Sequence, residues 1–266
     1  MADPIIEIGY VQILLLLGIP AVAVVFSVRL GLGLAREISI GTARSLIQLT
    51  AVGLVIGQVF RYATWYSVLL LLGVMTLIAG LTGARRSGVG MPRLVTVLPV
   101  VLGGVTALTM IYITQVVLSV RSWDPRYLVP LGGMLLGNGM TAATLAIERL
   151  VADLKAGTRD VEVLLALGAV PAAAVRRIQQ AAVRSAMMPT INTMMIVGII
   201  QLPGMMTGQM LGGTPPLEAA MYQMLILVSI MFVTLLMSAL MTSFVAARLF
   251  TDALQLDRVA LGRLGS

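Results

Sequence analysis

Seven runs of mostly apolar residues divide this sequence, near 5–28, 44–60, 65–83, 94–118, 130–148, 189–211 and 219–247. Each approaches the roughly 20 apolar residues with which an α-helix crosses the ~30 Å hydrocarbon core of a bilayer. A helix can do this because it satisfies its own backbone hydrogen bonds, which lipid cannot do for it. The pattern predicts an all-α polytopic membrane protein of about seven transmembrane helices, one permease-sized transmembrane domain over 1–266.

Only the connections after the first and fifth runs are long enough to hold structure of their own. After the first, Leu30, Leu34 and Ile38 recur every four residues with Arg29 and Arg36 on the other side. This suits either a short helix lying in the interface or a solvated connector, and Gly31 and Gly33 weaken the helix. The connection over about 149–188 is charged and long, and loops of that length usually have a job. Asp160, Glu162, Leu164, Leu165 and Leu167 start a helical pattern that Gly168 closes as a C-cap, and Pro171 suits the first turn of a second helix. On that second helix Val175, Ile178 and Ala182 share one side, with Arg176, Gln180 and Arg184 on another.

Charge orients the spans. With the N-terminus outside, fifteen of the eighteen Lys and Arg residues fall on inner connections, and only Arg61, Arg121 and Arg126 lie outside. Inner connections of membrane proteins carry the positive excess, so the C-terminus is expected in the cytoplasm. Met1-Ala2-Asp3-Pro4 lacks the basic region of a cleaved signal, so the first apolar run is expected to be retained.

Composition then removes whole chemistries. The chain is 59% hydrophobic and 11% charged, has neither Cys nor His, and has a net charge of +7. Without Cys or His there is no thiolate nucleophile, imidazole base or thiolate zinc site. Lys155, the one lysine, follows Leu154, so no phosphate-binding loop exists here. The sparse positive charge punctuates apolar runs, which points to membrane topology rather than nucleic acid.

A few polar groups lie inside the runs. Pro203-Gly204 interrupts the sixth, with Gln201 and Gln209 beside it and Met205 and Met206 following. Proline removes a helical hydrogen bond, and broken helices at membrane depth often line substrate paths; a plain packing kink is the other reading. Asn138, between Gly137 and Gly139, serves either an interhelical bond or a substrate, and Gln48 poses the same choice. Asn138, Gln201, Pro203, Met205, Met206, Gln209 and Gln48 are the seven residues of the candidate substrate path. Met-rich stretches suit soft metals, but methionine is also a packing residue. Asp124 and Glu218 near the outer face, with Glu7, and Glu37 and Glu148 near the inner one, leave the bilayer midplane without a carboxylate, so a tight all-protein iron cage is not expected. Gly53/Gly57, Gly133/Gly137 and Gly204/Gly208/Gly212 have the spacing of close helix packing within the chain or at a dimer seam.

The 149–188 connection resembles the cytoplasmic loop of ABC-transporter permeases that docks into the ATPase subunit. Glu162, Gly168 and Ile178 stand at that motif's spacing, while Val163-Leu164 replaces its alanines and Gln180-Ala181 its closing Leu-Pro. More of the chain resembles the FetB-like family of ABC permeases, which includes bacterial iron exporters and relatives tied to plant aluminium tolerance. The resemblance is carried by Ala43-Arg44-Ser45-Leu46-Ile47-Gln48-Leu49, Gly132-Gly133-Met134-Leu135-Leu136-Gly137-Asn138 and Leu202-Pro203-Gly204-Met205-Met206-Thr207-Gly208-Gln209.

It implies a bacterial inner-membrane permease that pairs with a second copy of itself and exports iron. It also implies a separate ATPase, which would use ATP and Mg and couple through Glu162, Gly168, Ile178, Arg176 and Arg177; this chain would bind no cofactor itself. A stand-alone channel or secondary transporter is the alternative class, though ion-coupled carriers usually hold an intramembrane carboxylate or His.

Overall fold

The computed structural model describes residues 9–62, 64–118, 124–251, 253–257 and 261–262. Glu7 and Arg121, among the residues used above, lie outside that set. Among the described residues the elements are helices: α1 (Tyr10–Leu16), α2 (Gly18–Arg29), α3 (Ala35–Tyr62), α4 (Trp65–Arg86), α5 (Leu94–Ile111) with a π-helical continuation (Tyr112–Val117), α6 (Pro125–Ala156), α7 (Thr158–Ala166), α8 (Pro171–Ile196), α9 (Gly204–Leu211) and α10 (Pro216–Ala247). Among the described residues five stretches are long and apolar enough to cross a membrane: Ala35–Gly57, Trp65–Arg86, Leu94–Val117, Pro125–Ala156 and Pro216–Ala247. The chain divides into two compact units, Met1–Tyr62 and Ala63–Ser266.

In the smaller unit, the first apolar run is two short helices. Pro20 has no N–H for the carbonyl of Leu16, and the helix is interrupted at Leu17. No separate interfacial helix follows. Gly31 and Gly33 take φ of +64° and +72°, values that end a helix, and Ser27 Oγ accepts the Leu34 backbone N–H at 3.0 Å. Ala35 then opens one helix that contains both the expected interfacial turn and the second apolar run.

The larger unit is a bundle of alternating directions. An added Cβ on Gly80 would lie 2.5 Å from Pro99 Cα, one on Gly103 would touch Thr76, and one on Gly139 would touch Val233 and Leu102. Gly132 meets Leu72 and Met110 in the same way, and Gly83 meets Met140. These registers, with Tyr127 beside Tyr222 as a second point between α6 and α10, make α4, α6 and α10 parallel and α5 antiparallel to them. In lipid the hydrophobic effect does not drive helices together, so backbone approach at small residues carries the packing. The glycines that do this are Gly80, Gly83, Gly132 and Gly139. Of those singled out by spacing, Gly133 touches Met75, Gly212 only its own helix carbonyls, and the rest meet nothing; spacing alone does not say which side of a helix faces a neighbour.

Helix α10 buries hydroxyls among its apolar core residues. Ser229, Thr234, Ser238 and Thr242 are buried while Met221, Met224, Phe232 and Leu235 are exposed. Each buried hydroxyl donates to a carbonyl of its own helix, as Ser238 Oγ does to Thr234 O at 2.7 Å. Helix α8 runs against α10: Gln179 Nε2 donates to Ser243 Oγ (2.7 Å) and Thr242 Oγ1 (3.4 Å). Gln179→Ala is expected to lower stability by about 1 kcal/mol, read from denaturation of the full chain in detergent micelles, while Gln180→Ala, on the exposed side, leaves it unchanged.

Candidate functional site

At the end of the bundle where α6 finishes and α8 begins, Gly157 turns the chain into α7. Helix α7 closes in a Schellman motif: Ala169 N–H donates to Leu164 O and Gly168 N–H to Leu165 O, both 3.0 Å. Gly168 sits at φ +89°, which glycine adopts without steric cost. Val170 is extended and Pro171 opens α8. Ala174, Val175 and Ala182 are buried, Ile178 packs over Gly157, and Arg176, Arg177, Gln180 and Arg184 are exposed. Glu162 is half-buried beside the elbow.

The elbow leaves an apolar surface uncovered, with Leu167 79% and Val170 61% exposed. A notch of about 710 Å³ separates it from the tail after α10, where Leu254 is 57% exposed and held at φ +59°. A branched residue in that region is strained. The tail turns on Leu254 N–H to Thr251 O and Thr251 N–H to Gln255 O, both 2.9 Å. Nothing in the sequence marked Leu254.

The sixth apolar run is broken outright rather than kinked. Helix α8 stops at Ile196, Gly198 takes φ +82° and donates to Gln201 O (2.9 Å), and Pro203 then precedes α9. The loss therefore begins at Val197, six residues before the proline. The candidate path residues do not converge. Gln201 is exposed at the break, Pro203, Met205 and Met206 are half-buried along it, and Gln48 is exposed on α3 in the smaller unit. Asn138 makes no interhelical bond: its Nδ2 donates to Met134 O of its own helix (2.8 Å), and it is exposed beside Gly137 and Thr141.

Gln209 lines a cavity of about 390 Å³ at the end of the bundle opposite the elbow. Asp124 and Tyr127 from the start of α6, Glu218 and Tyr222 from the start of α10, and Thr114 from the π segment line it with Gln209. The Tyr127 and Tyr222 rings are 5.7 Å apart. Asp124 Oδ1 caps α6 by accepting the Arg126 N–H at 2.9 Å, and the π turn, a geometry frequent at functional sites, closes with Leu118 N–H to Ile113 O at 2.9 Å. Among the described residues no three Asp or Glu side chains gather as a metal cage.

Long apolar helices with an apolar core that also leave large apolar side chains such as Leu70, Val100, Leu108 and Met224 exposed on the outside define a multi-pass α-helical membrane protein. The chain belongs to the family described as "Uncharacterised protein family (UPF0014)", which matches residues 10–250. It is 37% identical to the UPF0014 membrane protein slr1647 of Synechocystis sp., over 94% of this chain and 95% of that one. It is 33% identical to Protein ALUMINUM SENSITIVE 3 of Arabidopsis thaliana, over 88% and 85% respectively. With the Probable iron export permease protein FetB of Escherichia coli it shares 26% identity over 77% of this chain and 78% of the relative. No solved structure matches it.

Proposed function

We propose that the chain is the membrane-spanning permease subunit of an ABC transporter, a transport subunit and not an enzyme, with a separate ATPase docked on the α7–α8 elbow and iron moved outward. The supporting observation is the elbow itself: Leu167 and Val170 are exposed on the turn between α7 and α8, outside the five long apolar stretches, with Arg176 and Arg177 exposed further along α8. Apolar surface in an aqueous compartment calls for a protein partner. The name of the Escherichia coli relative supplies the iron and the direction.

Seven crossings fit this reading when α1–α2 is the first and the C-terminal half of α8, the break and α9 are together the sixth. Gln179 lies level with Ser243 and Gln209 with Tyr222, so that broken segment runs the length of α10. The N-terminus is then outside. A second copy of the chain covers the Gly137-Asn138-Thr141 side of α6, since a mid-span amide in contact with lipid would be costly.

The test is a mild-detergent pull-down of the full chain from its native membrane. An ATPase carrying a phosphate-binding loop should come with it in stoichiometric amount, and Leu167→Asp should weaken its retention about tenfold or more, a typical cost for an interface anchor. Absence of any ATPase, where a known transporter keeps its own, overturns the reading in favour of a stand-alone carrier.

A further inference from the structure

We propose that the uncovered face shared by α6 and the C-terminal half of α8 is a water-lined wall along which a partly hydrated cation moves, with Asn192 and Ser185 as its principal polar groups. The proposal rests on the permease reading above, in which that half of α8 lies within the membrane. It adds that water and cargo, not packed side chains, fill the space between this face and the second copy.

The face is built by register. On α8, Ile178, Ala182, Ser185, Pro189 and Asn192 follow one another at helical spacing and share one side. Ile178 packs over Gly157 at the end of α6 and Ala182 is fully buried, whereas Ser185, Pro189 and Asn192 are exposed. The side of α8 that starts against α6 therefore emerges from that contact further along the helix. On α6, Gly133 and Met140 face α4, and Gly139 faces α10. Asn138 lies across the α10 contact from α4, on the side where α8 packs, and is exposed together with Thr141. Gln179 stands level with Ser243 and Gly139 with Val233, and α8 runs against α6. At an equal rise per residue in each helix, Asn192 comes within about one turn of Asn138, and Ser185 within about one turn of Thr141.

These groups differ from the ordinary polar residues of the spans. Thr141, Thr193, Ser229 and Ser238 each donate to a carbonyl of their own helix. The Ser185 hydroxyl and the Asn192 amide have no hydrogen-bond partner among the described residues, and Asn138 engages only its Nδ2. Pro189 adds a backbone group, because without an N–H it leaves the Ser185 carbonyl short of its helical donor. Lipid satisfies none of them; water does. The outward faces of α4, α5 and α10 present Leu77, Leu108, Met224 and Phe232 instead, which suit lipid. Neutral hydroxyl, amide and carbonyl oxygens stand in for some of a hard cation's waters, and without a carboxylate among them they let it go, because affinity follows the number of charged ligands.

The chain has no cysteine, so single cysteines report on water at chosen positions. With the full chain in nanodiscs, Ser185→Cys and Asn192→Cys should react with a cationic methanethiosulfonate more than about tenfold faster than Leu108→Cys, because a hydrated thiol ionises to the reactive thiolate far more readily than one in apolar surroundings. Rates at 185 and 192 no higher than at 108 overturn the proposal, whether lipid or a dry seam with the second copy covers the face. With the ATPase present, Asn192→Leu should lower metal export about tenfold, the scale of a lost hydrogen-bonding group, while Asn192→Gln keeps most of it. Unchanged export in the leucine variant overturns the path. If both cysteines react but the wild-type chain with its ATPase moves no metal, the export reading falls and the water-lined face stands.

Discussion

Gly168→Pro is expected to abolish ATP-driven transport while the protein still inserts and folds. Proline fixes φ near −65°, whereas Gly168 sits at +89°. It also removes the N–H that donates to Leu165 O. Both halves of the Schellman motif are then lost, and α8 leaves α7 at a new angle. The spans feel none of this, because Ala174, Val175 and Ala182 anchor α8 beyond the elbow. Even Gly168→Ala forces a side chain into a left-handed conformation at about 1–2 kcal/mol, so a graded series is expected: near-complete loss for proline, partial loss for alanine. Reconstituted transport with the ATPase, read beside the melting temperature of the chain alone, separates uncoupling from unfolding. Wild-type coupled transport in the proline variant would remove the elbow from the mechanism.

The elbow was legible because its signals are local: an acid-led helical pattern, a glycine to end it, a proline to restart it. The long spans were legible for the same reason, and α4 and α10 begin within a few residues of where their apolar runs do. What escaped the sequence depends on partners far apart in the chain. Asp124 and Glu218 each read as an acid near the outer face, and only the parallel course of α6 and α10 brings both to one cavity. The π turn at Tyr112–Val117 has no compositional mark. The break after α8 was visible at Pro203-Gly204, but its start at Val197 reflects the backbone of Gly198, which nothing around it announces. Asn138 drew attention as a polar residue in an apolar run. Its amide turns back on its own helix, a satisfaction open to any Asn one turn from a carbonyl.

Gly80→Ala should destabilise the bundle more than any other single methyl added to it, by about 3 kcal/mol, at the upper end of what overpacking costs. The new carbon would stand 2.5 Å from Cα and from Cγ of Pro99. Neither can retreat: the first is backbone within α5, and the second belongs to a ring closed onto that backbone. Relief requires α4 and α5 to part, and with them the buried contacts of Leu98 and Leu102. Gly132→Ala tests whether rigidity rather than distance decides. Its added carbon also falls 2.5 Å from a neighbour, but that neighbour is the Cδ2 tip of Leu72, which can turn to another rotamer for roughly 1 kcal/mol. Gly104→Ala meets open space in the same helix as Pro99 and should stabilise by about 0.5–1 kcal/mol through helix propensity. Denaturation of the three variants in detergent should therefore rank Gly80→Ala well below Gly132→Ala, with Gly104→Ala at or above wild type. Equal losses at Gly80 and Gly132 would mean that α4 can slide away from α5, and that the Gly80–Pro99 contact does not fix the register of the bundle.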